Sequence, residues 1–266
     1  MTNYRLKAIA FCSILLIGAF NACQFAGMGQ DLPSGLGGRG KPGTESGGPR
    51  FAQPREDIDR SSPPSQPTRS PEGVRGSCGS NGQLNLTALV PENKIGRTVS
   101  DYPTLFFYLP KTDAQLAEFT LLDPSGKEIY KQTLTISNLS GVIGVSIPPN
   151  QSVPPLEVGK NYRWNFTVIC DSQDRSADRL EIGTVRRVEL SADIRSELEK
   201  ADPRQKTFIY AENGIWQDAL SNLAAARRAQ PDDAVIKADW ESLLESVKLG
   251  KIAKEPIVQV QNQPQP

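Results

Sequence analysis

The sequence predicts a β-rich domain followed by helices: an antiparallel two-sheet β-sandwich over residues 78–190, then a small helical unit over residues 191–250. Three observations carry this expectation. Between Gln83 and Leu190, short apolar runs of strand length are separated by turn residues every eight to twelve positions. No helix-period spacer lies between those runs, which favours sheet-on-sheet packing over alternating strands and helices. After Leu190 the apolar period lengthens from two to between three and four residues, the spacing of amphipathic helices.

The strands are justified in order. Leu84, Leu86, Ala88 and Val90 alternate with polar residues, and Pro91 ends the run. TLFFYLP supplies a second strand. LAEFTLLD and KEIYKQTLTI are joined by Asp123-Pro124-Ser125-Gly126, where Pro fixes one dihedral and Gly supplies positive φ, so the pair reads as a hairpin. GVIGVSI, YRWNFTVIC and RLEIGTVRRVEL complete a set of seven. Within Pro155 to Trp164 a Leu, a Gly turn and then Tyr162 resemble the corner that leads into a central strand of immunoglobulin-like domains, where the Tyr hydroxyl bonds back to the main chain. Tyr162, Trp164, Phe166 and Val168 share one face of that strand, and Tyr162 and Trp164 serve either as core or as a sugar-stacking platform; core packing is the preferred reading.

The helical part begins at Ser191, a cap for a helix carrying Ile194 and Leu198. Asp202-Pro203 caps and starts a second helix, which Asn213-Gly214 stops. A third carries Trp216, Ala219, Leu220, Leu223 and Ala226. Asp232-Asp233 begins a fourth, with Val235, Ile236, Trp240, Leu243, Leu244 and Val247 on one stripe. From Tyr210 to Pro231, Tyr, Gly, Trp, two Ala, Leu and Pro resemble a single tetratricopeptide-like repeat, with half of another around Trp240. One repeat cannot bury its own faces, so the unit must dock, either as a cap on the β-domain or as a groove for another chain. Tyr210, Trp216 and Trp240 are the candidate interaction surface.

The ends read differently. Residues 1–26 have Arg5 and Lys7 before an apolar run from Ala8 to Phe20, the layout of a secretory signal peptide; Cys23 is the residue that lipidation would use instead. Residues 27–77 hold Gly or Pro at 19 of 51 positions and show no hydrophobic period, which predicts a disordered linker. Residues 251–266 read as a flexible tail. Export places the protein in the periplasm or outside the cell, with membrane contact only through a lipidated Cys23 or a retained signal segment.

Composition narrows the chemistry. The 266 residues include no histidine, and 30 basic side chains balance 30 acidic ones. Imidazole catalysis and His-ligated metals are therefore excluded, and no basic arm points to nucleic acid. Of the four cysteines, Cys12 and Cys23 fall in the export segment, so Cys78 and Cys170 are expected to form one disulfide. The acidic run Asp171, Asp174, Asp178 and Glu181 is interleaved with Arg175 and Arg179, which suits an ion-paired turn better than a calcium loop. No catalytic set, metal site or cofactor motif is assigned.

In order along the chain, GSCGSNGQLNLTALVPE, SDYPTLFFYLP, AEFTLLD, GKNYRWNFTVICDSQDRSAD, AENGIWQDALSNL and ADWESLL resemble the exported cyanobacterial proteins of domain-of-unknown-function family 928, over about Cys78 to Val258. That resemblance implies export and the paired architecture, and brings no activity or site residues. The expected function is a non-enzymatic interaction or scaffold protein of the bacterial cell envelope, partnered by another envelope protein. The alternative is a carbohydrate-binding module or a hydrolase that uses carboxylates such as Asp101, Asp171, Asp174 or Glu181.

Overall fold

The computed structural model describes residues 47–54, 78, 84–149 and 153–262. Residues 1–26, read from sequence as a signal peptide with Cys23 as the alternative lipidation site, lie outside the described residues, as do residues 27–46 and 55–77 of the stretch expected to be a linker.

Among the described residues, ten strands form two sheets. The smaller has the order β1-β3-β6-β9, from Thr87–Ala88, Thr104–Leu109, Gly141–Ser146 and Ile257–Val258. The larger has the order β10-β5-β4-β7-β8-β2, from Gln261–Asn262, Glu128–Thr135, Leu116–Leu122, Asn161–Ile169, Arg179–Arg187 and Ile95–Thr98. All seven expected runs contribute strands, and β4–β5 is the expected hairpin. Its turn is held by Asp123, whose carboxylate accepts from the Ser125 and Lys127 amides at 2.8 and 2.9 Å, while Gly126 takes φ +87°.

The sheets are mixed rather than wholly antiparallel. β2 pairs in parallel with β8, and β9 in parallel with β6. The apolar pattern hides β2 because its inward positions are Gly96 and Thr98. The expected tail is also corrected. Residues 257–262 add an edge strand to each sheet, and Val258 and Val260 pack on the core, so main-chain pairing and apolar burial order a segment whose composition reads as loose.

The two sheets meet across one core. Phe107 of β3 stacks on Phe166 of β7 with ring centroids 4.2 Å apart, and meets Trp164 edge-on at 5.3 Å. Tyr162, Trp164, Phe166 and Val168 all point into this core, so the sugar-platform reading of the first two is set aside. Tyr162 also bonds back to the main chain: its hydroxyl accepts from the Glu157 amide at 3.0 Å, beside buried Leu156 and Gly159 at φ +80°. Cys78 and Cys170 are disulfide-bonded with Cα atoms 5.0 Å apart, tying the residue after β7 to the start of the β-rich region.

A third layer explains why TLFFYLP is apolar without interruption. Leu105, Phe107 and Leu109 face the larger sheet, while Phe106 belongs to a second core formed with the helices. Those helices are α1 (Ala192–Lys200), α2 (Pro203–Glu212), α3 (Trp216–Ala229) and α4 (Ala234–Glu245). Their starts follow the sequence signals. Ser191 accepts from the Ile194 amide, Asp202 and Gln205 form a reciprocal capping box, and Asp233 accepts from the Val235 and Ile236 amides. Val235 departs from the expected stripe and is exposed.

Candidate functional site

The helical layer docks on the outer face of the smaller sheet, and its two tryptophans do the docking. Trp216 opens α3, and its indole N–H donates to the Leu89 carbonyl at 2.7 Å, a contact buried from solvent. Around it, Phe106 and Val142 of the sheet meet Leu220, Leu223, Trp240 and Leu244 of the helices. Trp216 and Trp240 are both 0 % exposed. They are therefore buried rather than exposed as the sequence suggested, because one amphipathic unit must bury its apolar stripe against the sheet, and Trp216 is also covered by the ring of Phe51. Tyr210 is only half-buried and lies beside Asp218, whose charge adds to burial in raising the phenol's pKa.

An extended segment lies across the helices. Residues 47–54, Gly-Gly-Pro-Arg-Phe-Ala-Gln-Pro, fall inside the stretch expected to be disordered, and the structure corrects that expectation for these eight positions. Gly48 approaches α4 so closely that a Cβ there would sit 2.5 Å from the Ser242 Cβ. Pro49 is buried. The Phe51 amide donates to Ser246 Oγ at 3.0 Å, and its ring meets Trp216 edge-on at 5.2 Å. The Ala52 amide donates at 3.0 Å to the Ala211 carbonyl near the end of α2, which also accepts from the Gly214 amide at 3.1 Å. Pro54 lies against Gly214, where a Cβ would come within 2.3 Å of the Pro54 Cγ. The missing periodicity concealed this segment because its partners are a preformed surface and not its own neighbours. The signal that could have found it is Phe51, the only aromatic residue between positions 27 and 77.

Two carboxylates, Asp239 and Asp218, brace this region. Arg204 of α2 grips Asp239 of α4 with two bonds, Nε to Oδ2 at 2.6 Å and an Nη to Oδ1 at 3.0 Å, and Asp239 is buried. Asp218 sits in the first turn of α3, where its carboxylate accepts from the Val99 amide at 3.0 Å and bonds the Thr98 hydroxyl. Burial nevertheless pushes its carboxyl up to about 6. Sequence reasoning missed both residues because an Asp on a polar helix face reads as solvated.

The carboxylates named for hydrolysis are not gathered. Asp101 pairs with Arg187 at the end of β8, whereas Asp171 and Asp174 lie before its start, so the nine-residue strand separates them by roughly 25 Å. Glu181 pairs with Lys94 at 2.9 Å. Asp174 caps a short 3-10 turn, and hydrogen bonds from Ser176 hold its carboxyl below the usual range. Asp178 accepts from the Cys170 amide at 3.1 Å and pairs with Arg175, which makes the acidic run an ion-paired turn. Among the described residues, no three of Cys, Asp and Glu gather as a metal site, and no helix is long and apolar enough to cross a membrane.

What this arrangement can do chemically is hold extended polypeptide. The Ala211 carbonyl at the end of α2 and the Ser246 hydroxyl at the end of α4 accept main-chain amides on either side of an aromatic seat at Trp216. No curated protein matches the chain. A family model does match it, over residues 70–257, and that span covers both sheets and all four helices except for β10 at the edge of the larger sheet. The chain therefore belongs to the family described as Domain of Unknown Function (DUF928).

Proposed function

We propose that this is an exported, non-enzymatic interaction or scaffold protein of the bacterial cell envelope. The observation that carries this reading is the segment 47–54, laid across the helices by main-chain bonds and one aromatic contact. A surface that already holds extended chain is suited to holding a partner's chain. The disulfide supports an oxidising compartment, and the charged and apolar order of residues 1–26 supports export. Membrane attachment is limited to lipidation of Cys23 or retention of the signal segment.

The Tyr162 corner supports an immunoglobulin-like ancestry for the paired sheets. The α2–α3 hairpin, with Gly214 and Trp216 at its turn and Pro231 after α3, supports a tetratricopeptide-like origin for the helical unit. The family resemblance noted from sequence adds a cyanobacterial host to this proposal.

The test uses the full chain in its native host, with a photo-crosslinking residue in place of exposed Val235 on α4. The expected result is recovery from the envelope or the medium with the disulfide formed, and crosslinking to one defined envelope protein. Cytoplasmic retention with free thiols would overturn the proposal. So would binding or cleavage of envelope polysaccharide that Asp174→Ala abolishes, which is the outcome the carbohydrate alternative requires.

A further inference from the structure

We infer that the groove across α2 and α4 is a peptide-binding site for extended protein segments of the pattern Gly-Pro-x-Phe, and that residues 47–54 are its resident occupant in cis. This deepens the interaction-protein reading and rests on it, because it names the chemistry of the partner.

The pattern is read from what each position meets. At the first, a side chain is excluded by Ser242, which leaves glycine. The second is the buried Pro49, whose ring restricts the segment to extended backbone and lowers the entropy lost on docking. Arg50 is exposed and open to variation. At the fourth, an aromatic ring meets the edge of Trp216. The Ser246 hydroxyl and the Ala211 carbonyl accept main-chain amides and so set direction and register without reading side chains. Trp216 is fixed from behind by its bond to Leu89, so the seat is preorganised by the sheet beneath it.

Two main-chain bonds and one aromatic contact make a weak ligand in free solution. They suffice in cis because only 23 residues lie between Pro54 and Cys78, which makes the docking intramolecular. The cis segment then acts as a competitor that a partner must displace. A trans ligand is weakened by the fraction of time the groove stands open, so a cis segment seated about nine-tenths of the time weakens it roughly tenfold. A partner segment of the same pattern with further contacts overcomes that factor.

The experiment compares the full-length chain with its Pro49→Ser/Phe51→Ser variant, using a fluorescein-labelled peptide Gly-Gly-Pro-Arg-Phe-Ala-Gln-Pro and anisotropy up to 2 mM protein. The expected result is binding to the variant about tenfold tighter than to the unaltered chain, and loss of binding when Ser replaces Phe in the peptide. Native-state hydrogen exchange on the unaltered chain supplies a readout that does not depend on the variant: the Phe51 and Ala52 amides should lose protection as unlabelled peptide is added. No binding to a folded variant overturns the inference, as does equal binding to both chains or unchanged amide protection at saturation. Dimerisation that rises with concentration and disappears in the variant would make a second copy the occupant and overturn the assignment to a separate partner. Failure of the peptide test leaves export and crosslinking to an envelope protein standing, so the two readings fail separately.

Discussion

Asp218 gives the sharpest test of how the helices are joined to the sheets. Its carboxyl lies between the first turn of α3 and β2, bonded by the Val99 amide and the Thr98 hydroxyl and close to Tyr210. Burial raises its pKa from 3.8 to about 6 in the folded chain. A difference of about two pH units between folded and unfolded states corresponds to about 3 kcal/mol. The sign follows from which state holds the proton. Below pH 4 both states are protonated and the folded state carries no penalty. Between pH 4 and 6 the unfolded chain releases its proton while the folded chain keeps it, so stability falls as pH rises and levels off above 6. Asp218→Asn keeps an acceptor for Val99 and cannot ionise. Relative to the unaltered chain, its unfolding free energy should therefore rise by about 2.5 kcal/mol between pH 4 and pH 7, and the other carboxylates cancel in the comparison. Urea denaturation at half-unit pH steps, with the disulfide intact, measures this. A flat difference, or one that falls with pH, would refute the claim that desolvation outweighs the hydrogen bonds and the helix N-terminus at this carboxylate.

Three further outcomes are expected. Trp216→Phe leaves the buried Leu89 carbonyl without its 2.7 Å partner and should cost about 2 kcal/mol in urea or thermal denaturation, with lower cooperativity if the helices detach first. Cys170→Ser opens a bridge that spans a sequence separation of 92 and should lower stability by about 4.5 kcal/mol on the chain-entropy account, an effect that reductant should reproduce in the unaltered chain. Arg204→Met strands the buried Asp239 carboxylate and should cost about 2 kcal/mol at pH 7, reduced because Arg204 itself is half-exposed. A double-mutant cycle with Asp239→Asn should recover about half of that loss.

Much of the secondary structure was legible because local signals agreed with their surroundings. The Asp123–Gly126 turn, the caps at Ser191, Asp202 and Asp233, and the alternation from Tyr162 to Val168 all act over a few residues, and each stands where its pattern puts it. The disulfide was legible for another reason: few cysteines leave few pairings. What escaped were elements stabilised by distant partners. β2 buries Gly96 and Thr98 rather than an apolar pair, and the Gln217 side chain lies over Gly96. β9 and β10 belong to a stretch whose Gln-rich composition resembles a tail, and the ladders of two separate sheets order it.

The same distinction divides the candidate site. Sequence by itself determined that the helices are amphipathic, that Trp216 and Trp240 lie on their apolar faces, and that imidazole chemistry is absent, since these depend only on residue type and spacing. Only the tertiary structure decided that those faces are covered by Phe106, Val142 and Leu89, that Asp218 is desolvated, and that Phe51 is seated on Trp216. Periodicity reports which face of an element is apolar. What covers that face depends on segments tens to hundreds of residues away, and their approach leaves no periodic trace in the chain.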